Sequence, residues 1–209
     1  SPRTGSPAPV TEQPSLFGET PGTEGSAVRL VGEVMRTYIV AEQGDTMLLI
    51  DKHAAHERMN FDRLKAQGRQ VMSQTLLTPE IWRADAEARE LLAENAALLA
   101  ELGFALEPFG EDDVLVRGVP DTLDPAQVVP ALEEICETLR RGRRELARDE
   151  ILQTISCKSA IKAGWDTDLR ELQVLADKVA SGEIRYCPHG RPVAVRLTRK
   201  ELDKQFRRI

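Results

Sequence analysis

The run "TMLLIDKHAAHER", residues 46–58, restricts the fold more than any other part of the chain. Five residues suited to a buried strand lead, without a turn, into Asp51, His53, His56 and Glu57. Such polar groups cost free energy to desolvate unless they are paired or bind a metal. The strand must therefore end where these side chains reach water or meet partners. The residues that follow, 53–67, carry a helical pattern that stops at Gly68. Upstream, "VRLVGEVMRTYIVAEQ" and "TMLLID" read as two or three strands turning at "QGD".

Residues 1–26 read as a linker, because Pro, Gly, Ser and Thr fill 17 of these 26 positions and cannot build a core. The ordered part is expected to begin near Ala27. A second block follows the first helix. "QTLLTPEIW" reads as an edge or irregular strand, since Pro79 cannot donate to a ladder. "DAEARELLAENAALLAEL" predicts one helix with Ala88, Leu91, Leu92, Leu98, Leu99 and Leu102 on its buried face. "FALEPF" and "DVLVRGV" pair as strands across "GEDD". "PAQVVPALEEICETLRRG" predicts a helix burying Leu132, Ile135, Cys136 and Leu139, which makes Cys136 a core residue. The third block opens with a helix over "EILQTISCKSAIKAG" that ends at Gly164. A further helix in "TDLRELQVLADKV" is capped by Thr167 or Asp168. "IRYCPHGRPVAVRL" holds a loop and a strand, and "TRKE" at 198–201 is a capping box for the last helix.

His53 and Glu57 are four apart on a predicted helix and project from one face, with Asp51 just before it. Taken alone, they read as a helix cap and an exposed helical pair. "CPHGRP" at 187–192 is more specific. Cys187 and His189 alternate in a segment read as extended, which puts both on one side, and a thiolate beside an imidazole is a chelating pair for zinc. "SCK" adds Cys157, which alone reads as core. Together the three segments offer soft donors that favour zinc and carboxylates that suit manganese or magnesium. Such a mixed set can hold two metals, the arrangement used to split phosphodiester bonds. Lys158 and Arg191 stand beside these donors in the sequence and could contact a phosphate.

Charge and cysteine content narrow the setting. A net charge of −6 argues against a free-standing nucleic-acid binder, although eight Lys/Arg face two acidic residues from Arg185 onward. "RRGRR" at 140–144 is a second basic cluster. Three widely spaced cysteines fit a reducing cytoplasm rather than a disulfide framework. No apolar stretch approaches the roughly 20 residues of a membrane span, so no membrane partner is expected. The chain starts at Ser1 and shows no signal peptide, which reads as a fragment of something longer.

With these motifs in hand, the sequence resembles the C-terminal region of the MutL family of DNA mismatch-repair proteins, in the bacterial branch that carries endonuclease activity. The family's pattern Asp-Gln-His-Ala, two residues, Glu, four residues, Glu is met by "DKHAAHERMNFD". Asp51, His53, Ala54 and Glu57 match, Lys52 replaces Gln, and Asp62 stands for the last Glu. The Ala-Cys-Arg/Lys element appears as "SCK", "CPHGRP" matches in full, and Phe206 and Arg208 match a Phe-x-Arg element. The resemblance covers about residues 27–209. It implies an α+β fold with a dimerisation subdomain from both chain ends, 27–73 and 148–209, and an inserted regulatory subdomain, 74–147. It implies a homodimer that nicks duplex DNA with Zn2+ or Mn2+, in a cytoplasmic, nucleoid-associated setting with MutS as a partner. ATP enters only through an N-terminal domain outside this sequence.

On the same resemblance His53, Glu57, Cys157, Cys187 and His189 are metal ligands. Asp51 is a further catalytic carboxylate, and His56 falls on a variable, surface position. "QTLLTP" matches the Gln-x-x-Leu-x-Pro element that engages the replication sliding clamp, through Gln74, Leu77 and Pro79. "QPSLF" at 13–17 is a rival clamp peptide. The contrasting reading is a dimerisation module with a structural zinc closed by four protein ligands and no chemistry of its own.

Overall fold

The computed structural model describes residues 27–142, 144–160 and 167–208. Two antiparallel sheets organise them, as an α+β architecture requires. The first contains β1 (Arg29–Val34), β2 (Tyr38–Gln43), β3 (Thr46–Asp51) and β7 (Ala194–Thr198), in the order β1-β2-β3-β7. The second contains β4 (Ser73–Arg83), β5 (Ala105–Phe109) and β6 (Asp113–Pro120), in the order β4-β6-β5. β4 is an edge strand, as its Pro79 demands, and its pairing slips between Thr75 and Glu80.

Alternation on β2 and β3 turns Ile39, Ala41, Leu48 and Ile50 to one face, where all four are fully buried. Helix α6 (Leu169–Ala180) covers that face with Leu172, Leu175, Ala176 and Val179. Asp168 caps α6 by accepting from Arg170 N–H at 2.8 Å. The opposite face of this sheet carries Val34, Tyr38 and Val195, all exposed. A second core joins the second sheet to four helices: α2 (Ala86–Glu94), α3 (Ala96–Glu101), α4 (Val128–Arg140) and α5 (Arg144–Lys158). Cys136 lies in this core as expected, and burial pushes its thiol up to about 11.

Helix α1 (Lys52–Ala66) bridges the two cores. Ala54 and Ala55 belong to the first cluster, Phe61 and Leu64 to the second. Because α1 packs against both α5 and α6, it has little outward surface. His56, expected at the surface, is consequently buried at 9% exposure, and Lys52 is completely buried.

Two helix boundaries also differ from expectation. The single helix over 85–102 breaks at Asn95, whose φ is −107° and whose side chain donates to Leu91 O at 2.8 Å. Asn competes with the backbone for such bonds, so α2 and α3 are separate. Helix α5 begins at Arg144, because Gly142 (φ 69°) ends α4 and releases the chain to restart. It has ended at Lys158, where Ser159 and Ala160 form a turn, and Gly164 lies outside the described residues. The "TRKE" capping box is present, with Thr198 capping α7 (Arg199–Gln205). The linker and its "QPSLF" peptide also lie outside the described residues. Among the described residues no helix is long and apolar enough to cross a membrane.

Candidate metal centre

The end of β3 is tied to both its neighbours. Asp51 N–H donates to Val193 O at 2.8 Å, and Lys52 N–H donates to Thr37 O at 3.0 Å. The strand therefore becomes α1 at a fixed position, and Asp51 caps the helix by accepting from Ala54 N–H at 3.0 Å. One turn in, Glu57 points between the two cores and is 1% exposed.

"CPHGRP" reaches Glu57 from the other side, by a turn rather than by the expected extended alternation. Gly190 N–H donates to Cys187 O, and Cys187 N–H donates to Arg191 O, both at 2.9 Å. Gly190 has φ 80°, a conformation that costs glycine little. Pro188 and His189 form the tip, and Tyr186 pairs with Pro192 below it.

Glu57, Cys187 and His189 each offer a donor atom, and these atoms all lie within 4.8 Å of one another. His189 Nδ1 is 3.1 Å from Glu57 Oε1, yet the ring N–H is not aligned for a hydrogen bond. Glu57 Oε1 thus stays buried without a hydrogen-bond partner. A buried orphan acceptor is costly, and a cation is a natural partner for it. Sulfur, nitrogen and oxygen donors in one cluster fit zinc well, and fit magnesium poorly because of the thiolate.

The other expected site residues distribute around this group. His53 and Cys157 lie outside it; Cys157 is half-buried, and burial, then the Glu57 carboxylate, then that of Glu134, push its thiol up. The Cys187 sulfur, then the Glu57 and Asp51 carboxylates, raise the pKa of Arg191. Lys158 is paired with Glu134 of α4 at 2.9 Å. Asp62 is held by Arg58 through both carboxylate oxygens at 3.0 and 2.9 Å, one turn beyond Glu57. Arg208 lies over the Phe206 ring, 5.6 Å from its centre, at the end of the chain. Gln74 faces inward, donating to Pro120 O at 3.3 Å and Leu123 O at 2.9 Å, whereas Leu77 is fully exposed.

Four partners were invisible in the sequence: Glu33, Asn60, Glu134 and Glu171. His56 Nε2 lies 3.2 Å from Glu171, and its Nδ1 lies 3.5 Å from Asn60 Nδ2. Burial, then the charge of His53, pulls the His56 pKa down to about 4. Glu171 opposes that shift, but it is 40% exposed, and water screens it. Lys52 reaches Glu33 of β1 and donates to Thr167 Oγ1 at 3.1 Å. Most of these partners come from distant segments, where no local spacing marks them.

The family described as MutL C terminal dimerisation domain matches residues 31–167. A DNA mismatch repair protein MutL of Kosmotoga olearia is 37% identical over 195 residues, 92% of this chain and 32% of the relative. Proteins of the same name from Citrifermentans bemidjiense and Geobacter sp. are 36% and 34% identical, with 97% and 100% of this chain covered. The chain spans about a third of the length of these curated relatives.

Proposed function

Because this chain belongs to the MutL C-terminal dimerisation domain family, we propose that it is the dimerisation and metal-dependent endonuclease part of a mismatch-repair protein. Its substrate is duplex DNA, one strand of which it nicks. The observation that carries this reading is the buried Glu57 Oε1, which accepts no hydrogen bond and is set against Cys187 and His189. Glu57, Cys187 and His189 would hold Zn2+ or Mn2+, with His53 and Cys157 as further candidate ligands close by. Bound there, the ion would supply Lewis-acid charge for phosphodiester hydrolysis. The mixed sulfur, nitrogen and carboxylate donors, with Asp51 and Arg191 beside them, support catalysis over a closed structural zinc.

The chain's own groups divide the remaining work. Asp51 sits at the mouth of α1, its carboxylate directed by the cap bond. There it places negative charge beside the ligands and orients the attacking water. Arg191 faces the same group and neutralises phosphate oxygens. Lys158 does the same once it leaves Glu134. The test is nicking of supercoiled plasmid with manganese, comparing the parent with Asp51→Asn. Asn caps a helix about as well as Asp, so the fold should stay while activity drops about a hundredfold or more. Nicking at the parent rate would remove Asp51 from the mechanism.

Homodimerisation uses the uncovered face of the first sheet. Val34 and Tyr38 pair directly across β1 and β2, Leu49 and Val195 across β3 and β7, and Val34, Tyr38 and Val195 are exposed. An apolar sheet face of this kind marks an interface. Sedimentation should give a dimer at micromolar concentration that Tyr38→Glu with Val195→Glu converts to monomer. A wild-type monomer across that range would refute it.

The regulatory partner is the replication sliding clamp, with MutS as a further partner in a cytoplasmic, nucleoid-associated setting. Leu77 supports the clamp assignment, because it projects fully from the irregular edge of β4 beside Pro79. An exposed leucine on an extended segment can enter an apolar pocket and tether the enzyme. Gln74 must first release Pro120 and Leu123 to take part. Leu77→Ala should cut clamp-stimulated nicking at least tenfold and spare clamp-independent nicking. Full stimulation in that variant would move the tether to "QPSLF".

A further inference from the structure

The end of the described chain carries charge opposite to the rest. From Arg199 to Arg208 five Lys/Arg stand against Glu201 and Asp203, in a chain of net charge −6. Glu201 is committed to the capping box, accepting from Thr198 N–H at 2.8 Å and from its hydroxyl at 2.7 Å. Lys200 and Lys204 are four residues apart on α7 and share a face. The chain then turns at Arg207, with φ 54°, and adds Arg207 and Arg208 beyond the helix. All four cations are exposed, and among the described residues only Lys204 has a carboxylate acting on it, that of Glu201. Phe206 between them is 70% exposed, with the Arg208 guanidinium over its ring.

The strand before α7 connects this cluster to the metal group. Thr198 pairs with Thr46, Ala194 pairs with Ile50, and Val193 O accepts from Asp51 N–H. β7 thus runs from the Asp51 end of the site to the start of α7. At about 3.4 Å per residue, its five residues set the two about 15 Å apart along the strand. Phosphates of one DNA strand recur about every 3.4 Å along the helix axis. A duplex with its scissile phosphate at Glu57, Cys187 and His189 would meet α7 about five nucleotides away.

We propose that Lys200, Lys204, Arg207 and Arg208 form a phosphate-backbone contact that holds duplex DNA in line with the metal group. This rests on the nuclease reading of that group. The competing account of such a helix is a solvated charged face. Opposite sign to the chain, four exposed cations of which only Lys204 has a carboxylate neighbour, and an exposed aromatic ring among them favour a polyanionic ligand. Contacts of this kind position without reading sequence. They also offset the repulsion between DNA and a chain of net charge −6.

The experiment measures anisotropy of a labelled 30-base-pair duplex over a salt series. It uses the full-length protein, its Lys200→Ala, Lys204→Ala variant and its Lys200→Arg, Lys204→Arg variant, with zinc content measured for each. The alanine variant should lower the salt slope by about two, near 0.9 per lost phosphate contact. It should weaken binding about tenfold at physiological salt and raise KM for nicking with little change in kcat. The arginine variant should keep the parent slope, and zinc content should be equal in all three. An alanine variant with the parent slope would overturn the proposal and leave α7 a solvated face or a contact for an acidic protein. Parent protein that neither binds nor nicks the duplex would overturn the nuclease reading, and this contact with it. A parent that nicks beside a variant with unchanged slope would overturn the contact alone.

Discussion

Removing His189 and Cys187 together, as His189→Ala with Cys187→Ser, is expected to strip the bound zinc from the protein. Each is one of three donors whose ligand atoms lie within 4.8 Å of one another. Loss of a donor costs on the order of a hundredfold in affinity, so the pair should take binding out of a useful range. The two changes differ in structural cost. His189 is exposed at the tip of the turn, and its removal disturbs little packing. Cys187 is 1% exposed and packs in the first core, so serine there costs about 1–2 kcal/mol through a buried hydroxyl. The His189→Ala single variant therefore separates metal loss from fold loss. Zinc should raise the parent's stability by about 2.7 kcal/mol at a hundred times its Kd, and that gain should vanish in both variants. Elemental analysis after dialysis and thermal denaturation with and without zinc measure the two effects. Metal content unchanged in the double variant would reject the site.

How far the site was legible depends on whether its geometry is local. Glu57 lies on the helix that the spacing from His53 predicted, and it converges with Cys187 and His189 of "CPHGRP". Cys136 was legible because Leu132, Ile135 and Leu139 repeat at helical spacing on the same buried face. The capping box at Thr198 and Glu201 is a four-residue signal and is present as read. Long-range packing was not legible. Nothing in "HAAHER" says that α5 and α6 enclose α1, so the burial of His56 and Lys52 could not be read from it. The β1–β2 turn was also hidden, since Met35 and Arg36 adopt φ 55° and 49° without the Gly, Asn or Asp that usually marks such a turn. Glu134, which holds Lys158, lies on a helix of the second block and carries no sign of that pairing in its own segment.

Glu33→Ala should be among the most destabilising single changes in the first sheet. Lys52 is the first residue of α1 and is completely buried, and its ammonium reaches the Glu33 carboxylate of β1 and Thr167 before α6. One side chain thus ties the first strand, the first helix and the start of the helix that covers the sheet. Breaking a buried ion pair by removing one partner typically costs about 3–5 kcal/mol, because the remaining charge stays in a poor solvent. Glu33 is 17% exposed, so water reaches it, and the lower end, about 3 kcal/mol, is expected. The burial difference makes the pair asymmetric. Lys52→Gln leaves Glu33 near water and should cost less than Glu33→Ala, which takes a carboxylate away from a fully buried ammonium. A Glu33→Ala, Lys52→Met double variant should recover most of the loss, since a thioether fills the same channel without charge. Lys52 stands between Asp51 and His53, so at temperatures where Glu33→Ala remains folded its nicking should still fall below the parent rate. Urea denaturation of the three variants measures the energies. A Glu33→Ala midpoint equal to the parent's would show that the ion pair does not set the stability of the β3–α1 junction.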